Sequence, residues 1–192
     1  MKIQQQKLKV RQRWLLKPIS AKNFQNWLIN SASLTARLQQ KYANFAVKPV
    51  AVNFAKAVVE EAALLRLPAH KTALIREVLL FGNNQPVVFA HSVLPRASLR
   101  GAWNGLGRLG NKPLGATLFA NAKVKRTPLS YKKLSKNHVL YRRALKNLAA
   151  TQQIAQKSTL APTFLWARRS IFSLNCATIL VTEIFLPTLL VD

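Results

Sequence analysis

A single carboxylate interrupts an apolar stretch near the C-terminal end of this sequence. The stretch is TILVTEIFLPTLLV at positions 178–191, the carboxylate is Glu183, and the 192 residues include only five acidic ones. Because alternate residues of a strand share a face, Glu183 is expected beside Val181 and Phe185 on an apolar surface. An ionised carboxylate there needs a cation, hydrogen bonds or a chemical task. A salt bridge that only tolerates burial would also explain it.

The candidate cation for Glu183 is Arg76, within ALIREVLLF at positions 73–81. Alternation places Arg76 on one face with Val78 and places Glu77 on the other face, so one of these two charges is expected in the core. A buried guanidinium is suited to holding a substrate carboxylate through two parallel hydrogen bonds. If Arg76 instead faces solvent on a half-exposed sheet, it has no such role.

Other motifs lack residues that their chemistry requires. GLGRLG at positions 105–110 fits the dinucleotide pattern, but no acidic residue lies between Glu77 and Glu183 to hold a ribose. GNKPLGAT at positions 110–117 imitates a phosphate-binding loop, but Ala116 stands where the lysine is needed. The three histidines are scattered singly without metal spacing, so no metal is expected. The scarcity of carboxylates also disfavours a hydrolytic triad or a glycosidase pair.

The charge of the chain limits its partners. Thirty Lys and Arg residues face five Asp and Glu residues, for a formal net charge of +25. Such a chain is expected to associate with anions, which include nucleic acid, an anionic membrane surface and an anionic small molecule. Nucleic acid is the weaker expectation, because the sequence has no helix-turn-helix or zinc motif and no interleaving of basic with aromatic residues.

Length and cysteine content indicate a single domain in the cytoplasm. The 192 residues fit one hydrophobic core. Cys176 is the only cysteine, so no internal disulfide is possible and nothing suggests an oxidising compartment. The first 18 residues contain no apolar core of a signal peptide. The longest apolar run, at 176–191, is too short to cross a bilayer and includes Glu183 and Pro187.

The elements that must position these side chains follow from apolar periodicity. Residues 23–42 predict two short helices, whereas residues 47–67 fit either a strand or a helix. Two β-rich runs joined by GNNQP predict a hairpin over 73–95. A second antiparallel pair is predicted over 165–174 and 177–186. An α+β domain built on an antiparallel sheet follows.

Two long connections have unusual compositions. Residues 101–115 hold five of the six glycines and are expected to form a loop. Residues 123–157 hold ten Lys or Arg residues and no acid, and the spacing of Tyr141, Leu145 and Leu148 predicts a basic amphipathic helix. This basic segment is either a solvated surface or a contact for anionic lipid or nucleic acid.

Five motifs taken together resemble the chorismate pyruvate-lyase family. They occur in the family's order: LIREVLL at 74–80, VLPRASL at 93–99, NKPLGATLF at 111–119, WARRSIF at 166–172 and TEIFLP at 182–187. The resemblance implies a cofactor-independent lyase that converts chorismate to 4-hydroxybenzoate and pyruvate, the entry step to the ubiquinone ring. It also implies one α+β domain in which an antiparallel sheet and helical flaps enclose an internal ligand pocket.

The same resemblance assigns roles to four residues. It implies that Arg76 binds the ring carboxylate, assisted by the backbone at Leu34 and Leu114, and that Glu183 meets the ring hydroxyl. Arg76 would anchor the dianionic substrate, while Glu183 orients the hydroxyl and accepts or relays a proton. Residues 128–162 exceed the usual length of the family and are expected to be a basic, helical insertion. That insertion is either a longer loop or a peripheral contact with an anionic membrane.

The protein is expected to be a monomer whose partners are its small-molecule substrate and products. Two other functions stay open: a basic nucleic-acid-binding module, and a non-catalytic binder of small aromatic acids on the same fold. Release of pyruvate from chorismate would separate the enzyme from both.

Overall fold

One antiparallel sheet organises the molecule. A computed structural model describes residues 13–153 and 161–190. The sheet has seven strands in the spatial order β1-β2-β3-β7-β6, with β4 and β5 lying one after the other along the outer edge of β6. The strands are β1 (Phe45–Ala55), β2 (Ala73–Gly82), β3 (Gln85–Pro95), β4 (Lys125–Arg126), β5 (Ser130–Ser135), β6 (Phe164–Leu174) and β7 (Ala177–Phe185).

Short helices connect and cover these strands. The predicted α+β class is confirmed, and so are the hairpin over 73–95 and the antiparallel pair that ends near residue 186. None of the helices in the two described ranges is long and apolar enough to cross a membrane. The helices are α1 (Gln25–Ile29), α2 (Leu34–Lys41), α3 (Val59–Leu64), α4 (Arg96–Arg100), α5 (Leu114–Ala120) and α6 (Val139–Gln153), with 3-10 turns at Lys22–Phe24, Leu106–Arg108 and Pro187–Leu190.

Two tight turns fix the register of the two hairpins. Asn83 and Asn84 between β2 and β3 have φ of 47° and 64°. Asn175 and Cys176 between β6 and β7 have φ of 47° and 65°. Two successive residues in the left-handed region match the twist of antiparallel strands, and asparagine tolerates that region better than most residues. The turns therefore set which side chains of adjacent strands lie opposite each other.

Both faces of the sheet are covered. The pocket face, defined by Arg76, Val78 and Leu80 of β2, packs against α1, α2 and α5. The rear face, defined by Glu77 and Leu79, packs against α6. Arg76 is 3% exposed and Glu77 is 6% exposed. The prediction that only one of these two charges points into the core is therefore wrong, because each charge faces its own covering layer.

The basic segment contributes to the fold. Its residues 130–135 form β5 on the edge of β6, and its residues 139–153 form α6. Tyr141 and Leu148 of α6 are buried against the rear face, whereas Arg142 and Lys146 are exposed. Residues 154–160 lie outside the described ranges. That residues 128–162 are an insertion relative to the family that the sequence resembles stays a prediction.

Candidate active site

A cavity lies on the pocket face, between the sheet and the helices α2 and α5. Among the described residues that line it, the ionisable ones are Arg76, Arg126 and Glu183, and the rest of the wall is mostly apolar. Leu34 and Leu114 line the same cavity. The structure thus brings together all four residues that the sequence singled out. Their roles toward a ligand stay predictions.

The guanidinium of Arg76 is fixed by the loop that leads into α5. Its Nη2 donates to the carbonyl oxygens of Gly110, at 3.1 Å, and Lys112, at 3.0 Å. No described residue accepts a hydrogen bond from Nε or Nη1, so these donors are available to a ligand carboxylate. Burial lowers the pKa of Arg76, yet an arginine keeps its charge at neutral pH. The loop therefore holds a charged, buried anion anchor in place.

Glu183 is paired with Arg168, which the sequence reading did not single out. Nε of Arg168 lies 2.5 Å from Oε2 of Glu183, and the Arg168 side chain is fully buried. The register explains the pair, because Glu183 of β7 lies directly opposite Arg168 of β6. The prediction that Arg76 is the matching cation is wrong, since two strand spacings separate Arg76 from Glu183. Alternation from Trp166 would have placed Arg168 on the same face as Ser170, but the strand order was needed to find its partner.

The same arginine ties the site to the chain around α1. Nη1 of Arg168 donates to the carbonyl oxygens of Trp27, at 2.9 Å, Leu28, at 3.2 Å, and Asn30, at 2.6 Å. These carbonyls lie at the end of α1, where helical acceptors have no intrahelical donor. Arg168 therefore fixes both the carboxylate of Glu183 and the segment that leads into α2.

The spacing between Arg76 and Glu183 follows from the strand register. Arg76 lies opposite Ser92, and Ser92 lies opposite Val181, two residues before Glu183. Two strand spacings of about 4.8 Å and two residues of about 3.4 Å put the two Cα atoms roughly 12 Å apart. Both side chains stand on the pocket face. The two side chains line the same cavity from different strands, and Glu183 is paired with Arg168 and not with Arg76.

Leu34 and Leu114 begin the two helices that cover the cavity. Each is the first residue of its helix, so its backbone N–H has no intrahelical acceptor and can serve a ligand. The helices approach closely at Gly115, where a Cβ atom would lie 2.9 Å from Oγ1 of Thr35. A glycine is needed there because any side chain would push α5 away from α2. This close approach keeps the cavity covered.

Arg126 is a second cation in the cavity wall that the sequence reading missed. Its Nε donates to Oγ of Ser170 at 2.7 Å, and its Nη1 donates to the carbonyl oxygen of Ser31 at 2.6 Å. The guanidinium lies 5.4 Å from the ring centroid of Phe119 and 5.0 Å from that of Phe172. Burial lowers the pKa of Arg126, while the charge of Glu183 acts in the opposite direction. Its position near the start of a basic segment gave no signal that it enters the cavity.

The family of this chain follows from its similarity to known proteins. A model of the family described as chorismate lyase matches residues 12–191. This chain belongs to the chorismate lyase family. The probable chorismate pyruvate-lyase of Methylobacillus flagellatus is 42% identical over 94% of this chain and 96% of the relative. That of Nitrosomonas eutropha is 45% identical over 92% and 94%, and that of Nitrosospira multiformis is 47% identical over 85% and 86%.

Solved structures with low identity share the fold of this chorismate lyase family member. The effector domain of PhnF from Mycobacterium smegmatis has a TM-score of 0.53 and 13% identity, covering 82% of this chain and 90% of that one. The ligand-binding domain of a putative GntR-family regulator from Bordetella bronchiseptica has a TM-score of 0.50 and 16% identity, covering 75% and 85%. At this identity the likeness concerns the fold alone.

The rear face of this family member carries a second set of acidic residues. Of the described residues, Glu60, Glu61 and Glu77 all face that side. His91 lies between two of them, with Nε2 3.2 Å from Oε2 of Glu61 and Nδ1 2.9 Å from Oε1 of Glu77. Burial disfavours the charged imidazole, but hydrogen bonds with the two carboxylates outweigh it and raise the pKa of His91 to about 9. His91 is therefore an imidazolium at neutral pH.

Glu60 forms the other half of this rear-face network. It accepts from Lys132 at 3.0 Å, from Trp14 at 3.1 Å and from His138 at 3.2 Å. Burial alone would raise the pKa of Glu60, but the hydrogen bonds from His138, Trp14 and Lys132 lower it to about 2. In the two described ranges no group of three or more His, Cys, Asp or Glu side chains is arranged to hold a metal ion. Each rear-face carboxylate is engaged by a cation or hydrogen bonds, although Oε1 of Glu61 has no hydrogen-bond partner among the described residues.

Stability is expected to be greatest between about pH 4.5 and pH 6.5. The raised pKa of His91 adds stability that is complete below its ordinary 6.5 and is lost as the pH rises through about 9. The lowered pKa of Glu60 adds stability that is complete above its ordinary 4.5 and is lost as the pH falls toward about 2. The midpoint of urea unfolding, measured between pH 3 and pH 9, should show both the loss of stability toward low pH (the acid limb) and the loss toward high pH (the alkaline limb).

Two variants test whether the alkaline decline in stability depends on His91 and the acid decline depends on Glu60. His91→Gln is expected to unfold at lower urea and to lack the decline between pH 6.5 and pH 9. Glu60→Gln is expected to keep that decline and to flatten the acid limb. A decline above pH 6.5 of equal size in His91→Gln and the natural protein would contradict this account of the imidazolium.

Proposed function

We propose that this protein is a chorismate pyruvate-lyase, which eliminates pyruvate from chorismate and leaves 4-hydroxybenzoate. The observation that carries the proposal is one buried cavity lined by both Arg76 and Glu183 in a chain of this family. Relatives named for this activity share 42–47% identity with it over most of their length. A cavity wall with two guanidinium groups and one carboxylate also suits an anionic substrate.

Arg76 anchors the substrate in this proposal. Its guanidinium is already immobilised by the carbonyls of Gly110 and Lys112, so binding costs little side-chain entropy. Its other donors take the ring carboxylate, and the N–H groups of Leu34 and Leu114 add hydrogen bonds from the covering helices. The substrate ring is then held flat on the pocket face in one orientation.

Glu183 acts at the other end of the ring. The ion pair with Arg168 fixes the position of its carboxylate, so that it accepts a hydrogen bond from the ring hydroxyl. In the reaction the bond between the ring carbon and the ether oxygen breaks, and the adjacent hydroxyl-bearing carbon loses its hydrogen as a proton. The ring becomes aromatic, and the released enolpyruvate gains a proton to become pyruvate. No electrons are exchanged with another molecule, so the reaction needs no redox cofactor.

The decisive experiment follows both products in one sample. Purified protein is mixed with chorismate, pyruvate is measured by an NADH-coupled assay, and 4-hydroxybenzoate is measured by its absorbance. Equal amounts of the two products at a rate proportional to protein are expected. No turnover above the spontaneous rate would reject the enzyme, and binding of 4-hydroxybenzoate by calorimetry would then identify a non-catalytic binder.

The proposal also covers the oligomeric state of the protein, its location in the cell and its contact with a membrane. The protein works as a monomer in the cytoplasm, and its product enters ubiquinone biosynthesis. Peripheral contact with an anionic membrane involves the exposed cations Lys133, Lys136, Arg142 and Lys146. Because the apolar side of α6 is buried against the sheet, this contact is electrostatic and shallow. Sedimentation with phosphatidylglycerol vesicles is expected at 20 mM salt and lost at 500 mM, and no sedimentation at low salt would reject it.

A further inference from the structure

The cavity carries more positive charge than one carboxylate needs. Arg76 and Arg126 line it together with Glu183, and Arg168 lies directly behind that glutamate. Three guanidinium groups and one carboxylate leave a net charge of +2 around the cavity. Chorismate has two carboxylates, one on the ring and one on the enolpyruvyl side chain, whereas 4-hydroxybenzoate has one. The excess charge therefore matches the substrate and exceeds what the aromatic product requires.

The two guanidinium groups available to a ligand lie over different parts of the sheet. Arg76 belongs to β2, whereas Arg126 of β4 pairs with Phe172 and bonds to Ser170 of β6. Strands β3 and β7 lie between β2 and β6, and Glu183 lies on β7 next to β6. Arg126 is therefore at the Glu183 end of the cavity, away from the ring-carboxylate anchor.

The guanidinium of Arg126 is held in advance of binding. Ser170 and Ser31 accept from its Nε and Nη1, and Phe119 and Phe172 lie within 5.4 Å of it. No hydrogen bond from its Nη2 is formed within residues 13–153 and 161–190, and the side chain lines the cavity. A guanidinium fixed by two acceptors and two rings, with donors left over, is preorganised for a second anion.

We propose that Arg126 binds the carboxylate of the enolpyruvyl side chain of chorismate. In chorismate the ether carbon is next to the carbon that bears the hydroxyl, so a ring with its hydroxyl at Glu183 directs the side chain toward the same end of the cavity. Nη2 of Arg168 at that end also lacks a partner among the described residues, but Arg168 does not line the cavity, whereas Arg126 does. The inference rests on the proposed function, because it takes the orientation of the ring from Arg76 and Glu183.

This contact separates substrate from product. The enolpyruvyl carboxylate leaves with pyruvate, so 4-hydroxybenzoate loses the Arg126 contact and keeps only the Arg76 contact. Arg126→Gln is expected to raise the KM for chorismate about 10- to 100-fold, the usual range for losing a hydrogen-bonded charge partner. The same variant is expected to change the Kd of 4-hydroxybenzoate less than about threefold. The KM of Arg126→Lys for chorismate is expected to lie between those of the natural protein and Arg126→Gln.

The test compares a dianion with a monoanion that share one ring. Calorimetry measures the Kd of 4-hydroxybenzoate and of an unreactive benzoate with an enolpyruvyl ether at its meta carbon, for the natural protein, Arg126→Gln and the surface control Arg96→Gln. Selective loss of the dianion in Arg126→Gln supports the inference, even if turnover is absent and the lyase assignment fails. Equal loss of both ligands indicates a structural role and overturns it, and so does unchanged binding of both. Arg96→Gln is expected to bind both ligands normally.

Discussion

Replacing Arg76 by alanine is expected to weaken binding of chorismate and of 4-hydroxybenzoate about 100-fold or more. Removing one partner of a buried, hydrogen-bonded charge pair costs about 2–5 kcal/mol, and the ligand carboxylate would enter an apolar cavity without its cation. Both ligands carry the ring carboxylate, so both should be affected to a similar degree. The measurements are the Kd of 4-hydroxybenzoate by calorimetry and kcat/KM for chorismate.

One further variant shows whether Arg76 needs the planar geometry of its guanidinium or only its charge, and a second variant serves as a surface control. Arg76→Lys keeps a positive charge but loses parallel hydrogen bonds, so an intermediate Kd is expected. Arg96→Ala removes a cation from an exposed position beside Phe54 and should bind normally. Near-normal kinetics in a folded Arg76→Ala variant, judged by its near-ultraviolet circular dichroism, would refute the anchor.

Replacing Glu183 by glutamine is expected to lower kcat about 100- to 10,000-fold, the range in which one positioned acid or base contributes to catalysis. The amide keeps the size of the side chain and can still accept from Arg168, so the cavity should keep its shape. The Kd of 4-hydroxybenzoate is therefore expected to change less than about tenfold. Single-turnover kinetics with chorismate, alongside calorimetry with the product, separates the two effects.

A matched control removes a carboxylate from the rear face of the sheet. Glu60→Gln should lower the unfolding midpoint, because the amide carries no charge to pair with Lys132 and keeps only one of the two acceptor oxygens that Lys132 and His138 use. Its kcat at a temperature where it is folded should stay within about threefold of the natural value, since Glu60 does not line the cavity. If Glu183→Gln and Glu60→Gln lowered kcat equally, the loss of turnover would reflect stability and the assignment of Glu183 would fail.

Arg168 links the Glu183 end of this site to the chain around α1. The same side chain bonds to Glu183 and to three carbonyls at the end of α1. The charge of this fully buried arginine is paired with Glu183, and its Nε and Nη1 are engaged, whereas its Nη2 has no hydrogen-bond partner among the described residues. The segment that leads into α2 is therefore held in part by the cation that fixes the carboxylate.

The elements of the fold could be predicted because their signals are local. In each hairpin, two β-rich runs and the short turn between them lie within about 25 residues, and ALIREVLLF and VVFAHSVLP are one such pair of runs. The segment at 47–67 stayed ambiguous because it contains both β1 and α3, and its composition fits either. The buried state of Glu77 was missed because whether a sheet is covered on one face or both depends on helices remote in sequence.

The candidate site could be predicted in part. Glu183 and Arg76 stood out because a charge inside an apolar run is costly unless it is paired or used. Arg168 and Arg126 did not stand out, because each lies among other basic residues, in WARRSIF and in the segment after residue 123. Arg168 contacts Glu183 and Arg126 contacts Ser170, and each contact joins two different strands. A local sequence pattern does not predict contacts of this kind.

The sequence alone determined the strands and their turns, the surplus of positive charge, and the two buried charges that a ligand site would need. These follow from period-two alternation, from the left-handed turns that asparagine allows, and from the cost of burying a charge. Only the tertiary structure decided that Arg168, not Arg76, pairs with Glu183 and that Arg126 enters the cavity. The reason is physical: the partner of a buried charge is set by strand order and register across the sheet, which depend on contacts between residues far apart in the chain.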